Sequence, residues 1–189
     1  MNVRRRQKSL EARKADNAEV TDPSLVLAAA LRFLEARPRS TSEVRRRLLT
    51  RGYQADLVEG CVKRLLDLDI LDDAAFARTW VESRDRARPR GERALRSELR
   101  GKGIDRQVVD EVLDTRAVEQ PAADAAAARR VLERHASALA RVADPPARRQ
   151  RAYALLARSG FDSDTAVEAI AATTKLPPDA TEAESPEPV

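Results

Sequence analysis

The chain has 189 residues, and its 35 basic and 31 acidic side chains leave a formal charge of only +4 although 35% of residues are charged. Six aromatic residues and six glycines are too few for a large β fold, and too few for an aromatic platform on which nucleic-acid bases stack. Arginine (30, against 5 lysines) and alanine (34) are the excesses, and with Leu and Glu they point to helices.

Residues 1–22 read as a basic mobile arm, with six basic and three acidic residues in the first 20 and no apolar periodicity. Thr21-Asp22-Pro23 is a helix start. Leu27, Leu31 and Leu34 then share one face. Pro38 ends that helix, and Ser40 with Glu43 forms a capping box. Val44 and Leu48 follow on one face, and Gly52 stops the second helix. The third helix buries Leu57 or Val58, then Cys61, Val62 and Leu65.

The phrase recurs around Gly52, Gly103 and Gly160. One position after each glycine stands Tyr53, Ile104 or Phe161. Four before stands Leu48, Leu99 or Leu156, and eight before stands Val44, Leu95 or Ala152. Ten after stands Val62, Leu113 or Ile170. Asp105 and Asp162 occupy N-cap positions. The pattern predicts nine helices: 23–36, 40–51 and 55–68, then 73–87, 90–102 and 106–115, then 121–142, 145–159 and 164–172. They form three tandem three-helix repeats at 23–71, 72–118 and 119–175, an all-α, elongated and curved array. Residues 176–189 are an acidic, proline-rich tail expected to be disordered.

Charge follows the repeats. Residues 84–102 and 129–151 each sum to +5, while 53–76 and 103–125 each sum to −4. Middle helices are basic and the last helices of the first two repeats are acidic. Solvated faces with i, i+4 pairing would explain any one block. The regular placement suggests a basic stripe for nucleic-acid phosphates or an acidic protein surface. Arg93, Arg96 and Arg100 project from one side of their helix, and Leu95 and Leu99 from another. The candidate contact residues are Arg84, Arg86, Arg90, Arg93, Arg96, Arg100 and Lys102, extended by Arg45, Arg46 and Arg47 and by Arg148, Arg149 and Arg151.

Little supports catalysis. Cys61 is the single cysteine; it excludes an internal disulfide, fits a reducing cytoplasm and sits on a predicted core face. With His135 as the one histidine, neither a zinc site nor a His-activated nucleophile is expected. Gly101-Lys102-Gly103 lacks the spacing of a phosphate loop. Asp72 and Asp73 are adjacent and do not share a helix face; Asp72 is expected to cap the next helix and Asp73 to favour its dipole. Phe76 and Trp80 should anchor the second repeat. The longest apolar run, Leu25 to Leu31, is far short of the ~20 residues of a membrane span. No enzyme activity, metal, cofactor or membrane association is expected.

The run Ala30-Leu31-Arg32-Phe33-Leu34 with Arg37-Pro38-Arg39-Ser40 and Glu43-Val44 resembles the opening of the RecX regulatory proteins. So do Leu71-Asp72-Asp73, Phe76-Ala77, Trp80-Val81, Arg84, Gly91, Leu95, Glu98-Leu99 and Lys102-Gly103-Ile104, over roughly residues 24–172. Asp69 stands where the family commonly has glycine. The resemblance implies a cytoplasmic, non-enzymatic bacterial regulator; a monomer is expected. It implies binding to the RecA recombinase filament on single-stranded DNA, and inhibition of filament extension, ATPase and strand exchange. The setting is homologous recombination, DNA repair and the SOS response. The alternative, read from the helix–glycine turn–helix units, is a direct DNA-binding protein; an inert helical scaffold is a third.

Overall fold

A computed structural model describes residues 9–174, and the described residues form eleven helices and no strand. Residues 1–8 of the basic arm and the acidic tail at 176–189 lie outside them. The chain divides into two compact units: one runs to Trp80 and takes in Glu98–Val112, the other holds Val81–Ser97 and the chain from Leu113 on.

The first repeat is α2 (Pro23–Leu34), α3 (Thr41–Thr50) and α4 (Ala55–Asp67). Asp22 caps α2 through Ser24 N at 2.8 Å, and the Ser40–Glu43 capping box opens α3. The core combines Val26, Ala29 and Ala30 with Val44, Leu48, Val58, Cys61, Val62 and Leu65. The face of α2 therefore differs from the expected Leu27, Leu31 and Leu34: Leu27 and Leu34 only flank the core and Leu31 is exposed. Val26 and two small alanines, not the leucines, form the buried face of α2.

The second repeat is α5 (Asp73–Ala87), α6 (Glu92–Gly101) and α7 (Arg106–Glu119). The third is α8 (Ala123–Arg134) with the short α9 (Ala136–Ala140), then α10 (Pro145–Arg158) and α11 (Ser163–Thr174). Ala127, Ala128, Val131 and Leu132 pack with Ala152, Leu156, Phe161, Ala166 and Ala169. The helix expected over 121–142 breaks at His135. There the backbone N–H turns to Leu132 O, and the ring Nδ1 lies 2.9 Å from Val131 O, the carbonyl an α-helical N–H would have taken.

All three glycine turns have one geometry. Gly52, Gly103 and Gly160 have φ of 96°, 76° and 88°. The following amides, Tyr53, Ile104 and Phe161, donate back to Leu48, Leu99 and Leu156 O, and the glycine amides donate to Leu49, Arg100 and Ala157 O. This is the Schellman end of a helix, repeated three times. The end of α4 has the same pattern around Asp69, at φ 53°, with Ile70 N donating to Leu65 O. Aspartate tolerates this left-handed conformation at a cost that glycine escapes.

Each later turn is seated on the N-terminus of the preceding middle helix. At the first junction Ser40 Oγ donates to Lys102 O at 2.6 Å, and a Cβ on Gly103 would overlap Ser42. At the second, Gly91 N donates to Ser159 O (3.1 Å) and Arg93 N to Gly160 O (3.2 Å), while a Cβ on Gly160 would overlap Ala94. An aspartate completes each: Asp73 accepts from Thr41 N at 2.8 Å, and Asp124 from Glu92 N at 3.1 Å. Asp73 therefore serves the neighbouring helix, while Asp72 caps α5 through Ala75 N.

The Gly52 turn is the first of the three. Residues 10–18, assigned above to a mobile arm, form helix α1 (Leu10–Ala18) and cover it. Ser9 caps α1, Asn17 Nδ2 donates to Arg51 O at 2.8 Å, and Gln54 Nε2 donates to Ala18 O at 2.8 Å. A Cβ on Gly52 would come within 2.6 Å of Lys14 O.

Gly160→Ala should cost about 2–4 kcal/mol, the left-handed penalty plus an overlap with backbone that no rotamer relieves. Asp69→Gly, at the turn with the same backbone, should gain about 0.5–1 kcal/mol. Urea denaturation of the full chain measures both, and the signs should be opposite.

Candidate interaction surface

The charged side chains divide into those that the fold consumes and those it leaves outward. Lys102 belongs to the first group. Its ammonium lies 3.0 Å from Glu43 Oε1 and 4.6 Å from the centre of the Trp80 ring. Trp80 stacks on Phe76 with centroids 6.0 Å apart and donates its indole N–H to Glu98 at 2.9 Å. Burial pushes the Glu43 carboxyl up, but the hydrogen bonds from Lys102 and Ser40 and the charges of Lys102 and Arg37 outweigh it and hold it below its ordinary range.

Other candidates are also engaged. Arg45 grips Glu59 with two hydrogen bonds of 2.7 and 3.0 Å. Arg96 reaches back one turn to Glu92 at 2.7 Å, and Arg86 lies 3.9 Å from Glu82. Arg84 and Arg90 are half-buried and engaged within the chain. Arg148 donates to Val142 and Ala143 carbonyls and closes the loop before α10. Arg46 on α3, Arg93 and Arg100 on α6, and Arg149 and Arg151 on α10 are exposed, with no ion pair among the described residues. Of these, Arg93 and Arg100 lie on one side of a single helix, seven residues apart.

The third helices are the opposite in sign. Asp56 and Glu59 are exposed on α4, Glu111 and Asp114 on α7, and Asp164 and Glu168 on α11. Asp105 and Asp162 cap α7 and α11 through Gln107 and Thr165 amides.

Three features were missed at the level of sequence. Arg116 is buried, and it forks onto Asp85 (3.0 and 3.0 Å) and reaches Asp124 at 2.7 Å. Burial works against its charge, but the two carboxylates more than compensate. This anchor carries α7 on to Glu119, past the expected end at 115. Arg86, Arg129 and Arg130 with Glu133 line an open groove of about 550 Å³ beside that pair. Arg39 and Arg47 both lie over the Phe33 ring, with Arg37 near Arg39; the only sequence signal was the Arg37-Pro38-Arg39-Ser40 run. Cys61 lies in the first core, where burial pushes its thiol up. Among the described residues no group of His, Cys, Asp and Glu is placed to hold a metal ion, and no helix is long and apolar enough to cross a membrane.

Family models described as the first and second three-helix domains of RecX match residues 27–65 and 72–113. The regulatory protein RecX of Mycobacterium avium is 35% identical over 148 residues, 77% of this chain and 82% of that protein. That of Thermobifida fusca is 33% identical over 139 residues, 74% of this chain and 73% of the relative. The match to the Mycolicibacterium vanbaalenii protein is denser, 42% over 86 residues, but spans about half of each chain (46% and 47%). Among solved structures, RecX from Lactobacillus salivarius is similar with a TM-score of 0.67 and 21% identity, over 86% of this chain and 99% of that one. A second RecX structure is similar at 0.70 and 22%, over 79% and 73%. At these identities the structural likeness concerns the fold.

Arg116→Ala should leave Asp85 and Asp124 facing each other and cost about 2–3 kcal/mol in a denaturant titration, the low end for a broken pair because both carboxylates are partly solvated. Glu43 gives a pH signature. Its folded pKa is depressed, so its stabilisation is present above the ordinary value of 4.5 and is lost as pH falls through the folded value. Glu43→Gln should flatten the acid limb of a stability–pH profile below about pH 4.5.

Proposed function

Because the chain belongs to the RecX family, we propose that it regulates a RecA-type recombinase without catalysis of its own, binding the recombinase filament on single-stranded DNA and restraining its extension, ATPase and strand exchange. The observation that carries this reading is the split of charge between helices. The middle helices turn guanidiniums outward at Arg46, Arg93, Arg100, Arg149 and Arg151, and the helices after the glycine turns turn carboxylates outward. Outward cations on the middle helices suit an acidic protein surface or the phosphates of a DNA-bearing partner.

The alternative of groove reading by helix-turn-helix units draws on the helix–glycine turn–helix geometry, which is present three times. In such a unit the helix after the turn enters the major groove. Here that helix is acidic: Asp56 and Glu59, Glu111 and Asp114, and Asp164 and Glu168 would face phosphates with like charge. The sign of that helix tells against the alternative.

The double variant Arg93→Glu, Arg100→Glu tests the proposal. Both new carboxylates lie three or four residues from Arg96, so local pairing favours the helix. The concentration needed to half-inhibit recombinase ATPase on single-stranded DNA should rise at least about tenfold, ~1.4 kcal/mol of lost contact, at an unchanged thermal midpoint. Wild-type inhibition by the folded variant would remove α6 from the contact surface.

A further inference from the structure

The groove between the end of α5 and α8 gathers more cations than the carboxylates left to meet them. Arg86 lines it from α5, and Arg129 and Arg130 line it from α8. All three are exposed. Arg129 and Arg130 make no ion pair among the described residues, and Arg86 lies 3.9 Å from Glu82, at the far limit of one. Two carboxylates stand in the groove itself. Asp85 is already taken by the buried Arg116, through two hydrogen bonds of 3.0 Å. Only Glu133 is left for three guanidiniums.

The shape and chemistry suit an extended, acidic polypeptide. Small-molecule sites are enclosed and largely apolar, whereas this groove is open and edged by charge. Its small Ala126 leaves room for a backbone, and guanidinium forks take carboxylates with two hydrogen bonds each. Such a segment lies in the same compact unit of the chain. The opposite face of α8, with Ala127, Ala128 and Val131, packs against Ala166 and Ala169 of α11. Helix α11 runs to Thr174, and residues 176–189 then carry Asp179, Glu182, Glu184 and Glu187 with no cation. A helix is ~10–12 Å across, and an extended chain reaches ~3.3–3.6 Å per residue. Asp179, five residues past Thr174, therefore has more than the reach needed to pass α8. The four prolines of this segment reduce the conformational freedom that binding in an extended form would cost.

We propose that the groove of Arg86, Arg129 and Arg130 is the docking site of this chain's own acidic segment, Asp179 to Glu187, which acts there as an internal anion. Each exposed pair is weak by itself. Tethering offsets that weakness, because a short linker holds the carboxylates at an effective concentration of about millimolar. An acidic peptide from another protein has no such advantage. The docked segment covers the positive edge of α8, so an external polyanion must displace it to reach these arginines. The contact is electrostatic and is released as salt screens it.

The test uses the full chain with a nitroxide on Ser185→Cys. Cys61 is buried, so the label takes the new thiol. At low salt the amide NMR signals of residues 123–133 should lose most of their intensity, while those of α10 and α6 keep theirs. The loss should be reversed at about 1 M salt, where charges are screened beyond ~3 Å. Inorganic tripolyphosphate, as a competing anion, should reverse it too. Arg129→Gln with Arg130→Gln should abolish it; both positions are exposed and glutamine is a good helix former, so α8 is kept. Full intensity along α8 in the labelled chain overturns the proposal. So does an equal loss on α10 or α6, or a loss on α8 that persists in the double variant. Recombinase is absent throughout, so the outcome is independent of the ATPase test above.

Discussion

The structure depends on a helix end that has no Cβ. A Schellman turn brings the last carbonyls of a middle helix to its surface, and a glycine in the left-handed conformation lets another helix approach them. At Gly103 that other helix is α3, and at Gly160 it is α6. In both cases C-terminal carbonyls of the later helix meet donors at the N-terminus of the preceding middle helix, the Ser40 hydroxyl at the first junction and the Gly91 and Arg93 amides at the second, so the partial charges of the two ends attract. At the second junction orphan amides and orphan carbonyls, which would otherwise need water, satisfy each other. Asp73 and Asp124, at the same 51-residue spacing as Gly52 and Gly103, take the amides that the carbonyls do not reach. The equivalent residue in the first repeat is Asp22. It caps its own helix instead.

This arrangement decides what the surface can bind with. Helix N-termini are ordinary anion sites, because free N–H groups and the dipole point outward. The middle helices cannot offer theirs. The N-terminus of α3 is occupied by Lys102 O and Asp73, and that of α6 by Ser159, Gly160 and Asp124. That of α10 begins with Pro145 and Pro146, which have no N–H, and its Asp144 takes Ala147 N. On the middle helices anions must therefore be met by side chains, which gives their arginines a physical role beyond composition.

Local features of the chain were legible and tertiary ones were not. The glycine register, the capping box and the aspartate caps are fixed by neighbours within four residues, and all of them are present in the structure. Helix α1 buries no residue, so it carries no apolar period to detect. It exists because Asn17 and Gln54 tie it to a turn more than thirty residues away. The core face of α2 was misplaced because alanine counts for little in a hydrophobic pattern yet decides how closely helices pack. Lys102, Arg45 and Arg116 pair across 59, 14 and 31 residues, distances at which sequence spacing carries no signal.

Spacing within helices does determine which arginines remain outward. Arg96 has Glu92 one turn back, and Arg106 has Asp110 one turn on, and both pair. Arg93 has Pro89 and Ser97 at those positions, and Arg100 has Arg96 and Ile104, so neither has a carboxylate in reach along its helix. Arg47 is the exception. Glu43 lies one turn before it and should be its partner, but Lys102, from the next repeat, holds that carboxylate in a buried setting. A half-buried ammonium needs the charge more than an exposed guanidinium, for which water is an adequate substitute. Arg47 is left to the ring of Phe33. Docking of the second repeat on the first therefore does two things: it closes the junction, and it turns the positive edge of α3 outward.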